Sequence, residues 1–208
     1  MTARLRAVVF DVGAVLIDWN PRHLYRRLFD DDAEMERFLA EVCTPEWNAA
    51  LDAGRPFAEA IEEMVARHQA QAGLIRAYRE RWVEMLGGPI EGTASIIREL
   101  RAAGVRVFAL SNWSAETYPL TRPLYPVLDE LDGILISGEA GVAKPDPAIY
   151  RLFLERFGLE PAEIVFVDDS AANVAAARAL GIESIRFEDA AQARRELIRL
   201  GFPPAPQS

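Results

Sequence analysis

Four groups of residues in this 208-residue chain have the types and spacing to do chemistry: Asp11, Ser111-Asn112, Lys144 and Asp168-Asp169. Three of them end an apolar run. Asp11 follows Leu5-Arg6-Ala7-Val8-Val9-Phe10, Ser111 follows Val105 to Leu110, and the Asp168-Asp169 pair follows Ile164-Val165-Phe166-Val167. Three carboxylates gathered in one cleft repel one another and repel a phosphate. A hard divalent cation resolves the conflict, because magnesium takes oxygen ligands, typically one or two carboxylates with water and substrate oxygens. Asp11, Asp169 and Asp168 fit that need. Such a cation polarises a phosphoryl group and lets an anionic nucleophile approach. Lys144 would screen the remaining charge, and the hydroxyl and backbone N–H groups at Ser111 and Asn112 suit phosphate oxygens. A carboxylate can itself attack phosphorus and form an aspartyl-phosphate.

The elements that must position these groups follow from the patterning. The first apolar run reads as a buried strand. A long stretch of helical texture comes next, with helix starts at Asn20-Pro21 and Thr44-Pro45-Glu46 and helices over 57–71 and 74–86. Gly87-Gly88-Pro89 breaks the chain, and no strand is expected between Trp19 and Gly87. Strands and helices then alternate: a helix over 95–102 closed by Gly104, strands over 105–110 and 133–136, a helix over 147–157, a strand over 164–167, a helix from Ser170 to Leu180 closed by Gly181, and a strand over 182–185. This order predicts an α/β fold, a Rossmann-like parallel sheet with helices on both faces and a helical cap inserted after the first strand. The expected division is a core of 1–17 and 88–208 and a cap of 18–87, seated over the C-terminal edge of the sheet where such folds bind ligands.

Composition narrows the partners. At roughly 150 residues per domain the length corresponds to about 1.4 domains. Half of the residues are hydrophobic, ample for a core, and 23 Lys and Arg against 32 Asp and Glu leave a net charge of −9. An acidic surface argues against nucleic acid but not against a small anion held at a locally positive site. Cys43 is the single cysteine, which excludes an internal disulfide, and with only His23 and His68 beside it there is no zinc cluster. A reducing, cytoplasmic setting is expected. Asp11 interrupts the apolar opening, and no uncharged run reaches membrane-spanning length. The tail 203–208 reads as frayed.

Several residues have plainer readings. Lys144-Pro145-Asp146-Pro147 alone would be a turn leading into a helix, with Asp146 as its cap. Asp30-Asp31-Asp32 is a helix start, where acids suit the dipole. Trp47, Trp82, Tyr25 and Phe38 fit packing within the cap, as do His23 and His68. Trp19 and Trp113 each lie just after a motif, where they would either wall a site or pack ordinarily. No Gly-x-Ser-x-Gly elbow surrounds Ser111, and Gly138 and Gly141 form no dinucleotide pattern.

Taken together, Phe10-Asp11-Val12-Gly13-Ala14-Val15-Leu16, Leu110-Ser111-Asn112, Lys144-Pro145-Asp146-Pro147 and Val165-Phe166-Val167-Asp168-Asp169-Ser170 resemble the four motifs of the haloacid dehalogenase-like hydrolase superfamily. The helical insertion is similar to that superfamily's type-1 cap. The Phe-Asp-x-Gly opening looks like bacterial α-glucose-1-phosphate phosphatase-type members. The resemblance implies Asp11 as nucleophile and magnesium ligand and the Gly13 carbonyl as another ligand. It implies Ser111 and Asn112 as phosphoryl-binding residues and Lys144 as the neutralising cation. Asp169 would be a direct ligand, with Asp168 supporting directly or through water. One departure stands out: phosphatases of this superfamily usually carry a second Asp where this chain has Gly13. A positioned acid–base contributes about 10²–10⁴-fold, so its absence points to leaving groups of low pKa, such as the anomeric oxygen of a sugar, a phenol or a carboxylate, and so to sugar 1-phosphates, aryl phosphates or acyl phosphates. Asp18 and His23 are near in sequence, but nothing here selects either as a replacement. The expected activity is a magnesium-dependent phosphatase of a small phosphorylated metabolite. The alternatives are a metal-free 2-haloacid dehalogenase using Asp11 on carbon, and a non-catalytic phosphometabolite binder.

Overall fold

The computed structural model of the chain describes residues 5–202; the tail expected to fray lies outside them. The first strand, β1 (Ala7–Phe10), is buried along its whole length. A short strand β2 (Ile17–Trp19) leads into five helices: α1 (Arg22–Tyr25), α2 (Asp32–Glu41), α3 (Pro45–Asp52), α4 (Phe57–Arg67) and α5 (Ala72–Glu80). The return strand is β3 (Leu86–Pro89), followed by α6 (Thr93–Ala102), β4 (Arg106–Ser111), α7 (Tyr118–Thr121) and β5 (Gly133–Ile136). Then come α8 (Ser137–Ala140), α9 (Pro147–Phe157), β6 (Ile164–Asp168), α10 (Ala171–Ala179), β7 (Glu183–Arg186) and α11 (Ala190–Arg199). No helix among the described residues is long and apolar enough to cross a membrane.

The main sheet has the order β5-β4-β1-β6-β7 and is parallel throughout. Its strands read as continuous apolar runs because both faces are covered. Alternate residues point to opposite sides. Val8, Phe10, Val107, Ala109, Val165 and Val167 pack in one cluster with residues of α6 and α11. Ala7, Val9, Phe108, Leu110 and Phe166 pack in the other, with residues of α9 and α10. The first cluster continues without a break into the helical insertion, through Leu24, Tyr25, Phe38, Leu51, Tyr78 and Trp82.

Two parts of the insertion differ from the pattern read in the sequence. β2 and β3 pair as an antiparallel ribbon at its base, at the two ends of the stretch read as helical, where no strand pair was expected. Gly, Gly and Pro are all poor strand formers, which is why Gly87-Gly88-Pro89 reads as a break. The ribbon needs them: Asp18 faces Gly88 and Trp19 faces Leu86, leaving Gly87 as the extra residue of a bulge. A Cβ on Gly87 would lie 2.2 Å from Asp18 Oδ2 and 2.6 Å from His23 Nε2, so the Asp18–His23 pair sits over a bare Cα. The other difference is in the helices, where the expected 57–71 and 74–86 segments each close in a 3₁₀ turn, over 69–71 and 82–85. Two other helix starts hold, with Asp31 capping α2 and Thr44 capping α3 through their side chains, while α1 begins one residue later than Asn20-Pro21 suggests, with Pro21 at its N-cap.

Candidate active site

Parallel register puts the strand ends in one row. Phe10 is level with Ala109 and with Val167, so the next residues, Asp11, Leu110 and Asp168, align at the C-terminal edge, with Ser111 one step further. The strand order reverses direction about β1 here, the place where open α/β sheets bind ligands. The loop that follows Asp11 is tight. Ala14 N donates to Ile17 O at 2.8 Å and Ile17 N to Val12 O at 2.9 Å. Ala14 itself sits at φ 58°, in the left-handed region that disfavours a side chain by roughly 1–2 kcal/mol.

Lys144 is the hub. Its ammonium donates to Leu110 O at 2.7 Å and to Asp168 Oδ2 at 2.7 Å, and lies 3.0 Å from Asp11 Oδ2. All three of its protons are thus engaged, with the side chain wholly buried. Asn112 holds this lysine in place: its amide donates to Lys144 O and accepts from Lys144 N, both at 2.8 Å. The Asn112 side chain therefore positions Lys144 and leaves its backbone N–H for a ligand. Asp168 is saturated, since Oδ1 accepts from Ser170 N and Asn173 Nδ2 and Oδ2 accepts from Lys144 and Asn173 Nδ2. Asp11 is less committed, with Val12 N on Oδ1 at 2.7 Å and Lys144 on Oδ2. Ser111 Oγ is buried without a hydrogen-bond partner. A buried orphan hydroxyl is costly unless a ligand completes it.

One carboxylate oxygen each from Asp11, Asp168 and Asp169 lie within 4.8 Å of one another. The electrostatics register this crowding. Burial raises the Asp11 carboxyl to about 7; Lys144 pulls it down and the Asp168 charge pushes it back up. Burial, then the Asp168 charge, raises Asp169. Burial opposes the Lys144 charge, but Asp11 and Asp168 outweigh it and hold the ammonium above its ordinary value. A cation would satisfy what one lysine cannot.

A cavity of about 510 Å³ opens onto this cluster. Asp11, Gly13, Asn112, Lys144 and Asp169 line its floor, while Trp19, Trp82, Asn48 and Asp52 enter from the insertion side. Trp19 and Trp113 both stand in the wall, with Trp82 between them: ring centroids are 5.8 Å apart for Trp19–Trp82 and 6.4 Å for Trp82–Trp113. Trp82 was expected only to pack within the insertion, and it does both. Asp18 and His23 pair with each other at 2.9 Å on the ribbon and do not line the cavity. Asp52 was not singled out by the sequence at all. It ends α3, and its α-helical spacing from Asn48 gave it the appearance of an ordinary surface pair.

Residues 5–181 match the haloacid dehalogenase-like hydrolase family. A sesquiterpene phosphatase of Aspergillus oryzae is 29% identical over 205 residues, which cover 96% of this chain and 98% of that protein. A HAD family enzyme of Bacteroides thetaiotaomicron, solved in complex with magnesium and inorganic phosphate, superposes with a TM-score of 0.67 at 22% identity, over 89% of this chain and 95% of its own. An L-2-haloacid dehalogenase of Xanthobacter autotrophicus with chloropropionic acid covalently bound gives 0.65 at 22% identity, over 96% of this chain and 85% of its own. The two solved structures share the fold and do not choose between attack on phosphorus and attack on carbon. With the strand-end acids, the buried lysine and the family match in agreement, this chain belongs to the haloacid dehalogenase-like hydrolases.

Proposed function

We propose that this hydrolase is a magnesium-dependent phosphatase that cleaves a small phosphate monoester through an aspartyl-phosphate on Asp11. The observation that carries the reading is the three-carboxylate cluster, with oxygens within 4.8 Å of one another and one buried lysine among them. Without a cation such a cluster would repel a haloacid's own carboxylate, which disfavours the dehalogenase alternative. Asp11 and Asp169 have acceptor capacity left for magnesium, and the Gly13 carbonyl is the further candidate ligand. Asp168, whose oxygens are already bonded, would support the ion directly or through water and holds Lys144. When bound, the ion neutralises the cluster and polarises the phosphoryl group. Asp11 then attacks phosphorus with a carboxylate oxygen while the Ser111 hydroxyl and the Asn112 backbone N–H hold phosphoryl oxygens and the Lys144 charge offsets the carboxylates. The bond to the leaving oxygen breaks, and water later cleaves the phospho-aspartate. Residues 18–87 act as the cap over a core of 1–17 and 88–208.

Among the esters that position 13 allows, the tryptophan wall favours an apolar or aryl body over a sugar phosphate. The polar side chains on that side, Asn48 and Asp52, are bonded to each other at 2.8 Å and offer a sugar little. The fungal relative, a sesquiterpene phosphatase, supports the same substrate class. A phosphate-release screen with magnesium, comparing apolar alkyl and aryl phosphates with sugar 1-phosphates, tests the reading. Wild-type protein should turn over the apolar esters. Asp11→Asn and chelation of magnesium should each abolish turnover with the fold intact. Halide release from 2-chloropropionate without magnesium would reverse the reading, and phosphometabolite binding with no release would make the chain a binder.

A further inference from the structure

The phosphatase reading leaves one function without a residue: something must protonate the leaving oxygen and deprotonate water. Position 13 does not do it. A Cβ built there would meet nothing within 4 Å, so the place is open and bare. Among the described residues that line the cavity, the carboxylates are Asp11, Asp169 and Asp52, and there is no histidine, cysteine or tyrosine. Lys144 has its protons committed to three acceptors. Asp52 is left, across the cavity from the cluster.

We propose that Asp52, carried by the insertion, is the general acid–base of the reaction and takes the part that position 13 does not fill. This rests on the phosphatase reading above. The side chain is oriented from behind by a relay. Tyr78 Oη donates to Asn48 Oδ1 at 2.8 Å, which fixes the amide, and Asn48 Nδ2 donates to Asp52 Oδ2 at 2.8 Å. The Ser114 backbone, in the loop after β4, faces the same carboxyl and pulls it down. Ser137 Oγ, at the start of α8, donates to the Asp52 carbonyl and also accepts from Trp113 N. Core and insertion thus both grip this residue. Burial pushes its carboxyl up to about 7, with the nearby Asp11 charge adding to the rise and the Ser114 backbone and the Asn48 bond opposing it. The charged groups facing it across the cavity are Asp11, Asp169 and Lys144. A carboxyl held near neutrality can both give and take a proton.

The step balances as follows. An Asp11 oxygen bonds phosphorus, the bond from phosphorus to the leaving oxygen breaks with its electron pair on that oxygen, and the Asp52 proton goes to it. In the second half, Asp52 carboxylate takes a proton from water as the water oxygen bonds phosphorus. The bond from phosphorus to Asp11 then breaks and the Asp11 carboxylate is restored.

The test measures kcat/KM, which ends at leaving-group departure, for an alkyl phosphate and for p-nitrophenyl phosphate with saturating magnesium. Asp52→Asn should lower the alkyl value by about 10²–10⁴-fold and the p-nitrophenyl value by less than about tenfold, because a good leaving group needs little protonation. With p-nitrophenyl phosphate the variant should also show a burst of product, since water attack has lost its base. Asp52→Ala should show the same pattern. Gly13→Asp placed in the Asp52→Asn chain should recover alkyl turnover, since the Cβ at 13 has room. Equal losses for both esters, or no loss, would overturn this assignment and leave the phosphatase reading standing. Wild-type protein that releases no phosphate from either ester would overturn both.

Discussion

Lys144→Met isolates the electrostatics of the cluster. The methionine keeps most of the volume and removes the charge, so packing changes little. What disappears is a buried ammonium bonded at 2.7 Å to Asp168 and to Leu110 O and lying 3.0 Å from Asp11. Two carboxylates, one of them fully buried, then face each other without a counter-charge. Removing one partner of a buried ion pair costs about 3–5 kcal/mol. That is a large share of a typical stability of about 5–15 kcal/mol. Lys144 also pulls the Asp11 carboxyl down against burial, so in the variant that carboxyl is driven further up and takes a proton more readily, and the loss should grow as pH rises. Urea unfolding followed by circular dichroism, in chelator and again in magnesium, measures the loss. The ion should recover more stability in the variant than in the wild type, because the variant's site is more negative; one ligand at a hundred times its Kd gives about 2.7 kcal/mol. Asp168→Asn added to Lys144→Met should lose less than Lys144→Met alone. A loss under about 1 kcal/mol in chelator, with the same magnesium response as wild type, would refute the account of a cluster that needs cations.

Three further outcomes are expected. Trp82→Ala removes the middle ring of the wall and should destabilise by about 3–5 kcal/mol, while raising KM for apolar phosphates more than for sugar phosphates; melting and steady-state kinetics check it. Gly138→Ala would bring a Cβ to 2.3 Å from Ala115 N and 2.8 Å from Trp113 O. The loop after β4 must shift, lowering stability by about 1–3 kcal/mol and lowering kcat through Asp52; an unchanged melting curve would count against that packing. The raised Asp52 carboxyl also links stability to pH, because the folded state holds its proton to about 7 and the unfolded chain releases it near the ordinary carboxyl value of 3.8. Its contribution is fully present below that lower value and is lost as pH rises through the upper one. Urea midpoints at pH 5 and pH 8 in magnesium should therefore converge in Asp52→Asn relative to wild type.

The nucleophile row was legible because each member interrupts an apolar run. Asp11, Ser111 and Asp168 stand where a buried strand must stop, and a polar residue there has few structural uses. The ribbon was hidden by Gly87-Gly88-Pro89, whose conformational preferences oppose a strand. The residues have no strand propensity to read; they serve a bulge and leave room for Asp18 and His23. Asp52 was hidden for a different reason. On α3 it is a polar residue four positions from Asn48, and only the fold brings that helix end over the sheet edge. Trp82 likewise satisfied the helical packing pattern, which masks a second role in a cavity wall. The last helix had a legible start, since Asp189 accepts from Gln192 N at 2.7 Å.

The division of groups between the two parts of the chain has a mechanistic consequence. On the proposed reading the core supplies the nucleophile and the acids that would hold an ion, placed at strand ends, and Lys144 from the loop before α9, held by Asn112. The insertion supplies the apolar wall and, on the proposed assignment, the proton of Asp52. Polar contacts seat one on the other: Ser137 Oγ to the Asp52 carbonyl, the Ser114 backbone to its carboxyl, and Phe57 N to Glu116 Oε1 at 2.9 Å at the start of α4. A carboxyl at position 13 would be present in every state of the enzyme. One on α3 is in place only while these contacts hold. On this assignment an ester whose body fills the tryptophan wall would stabilise the seated arrangement and so bring the acid to its own leaving oxygen. One too small to touch the wall meets the same nucleophile with the proton donor less firmly placed. Discrimination then falls on kcat as well as on KM, because binding energy from the body of the substrate is used to position the proton.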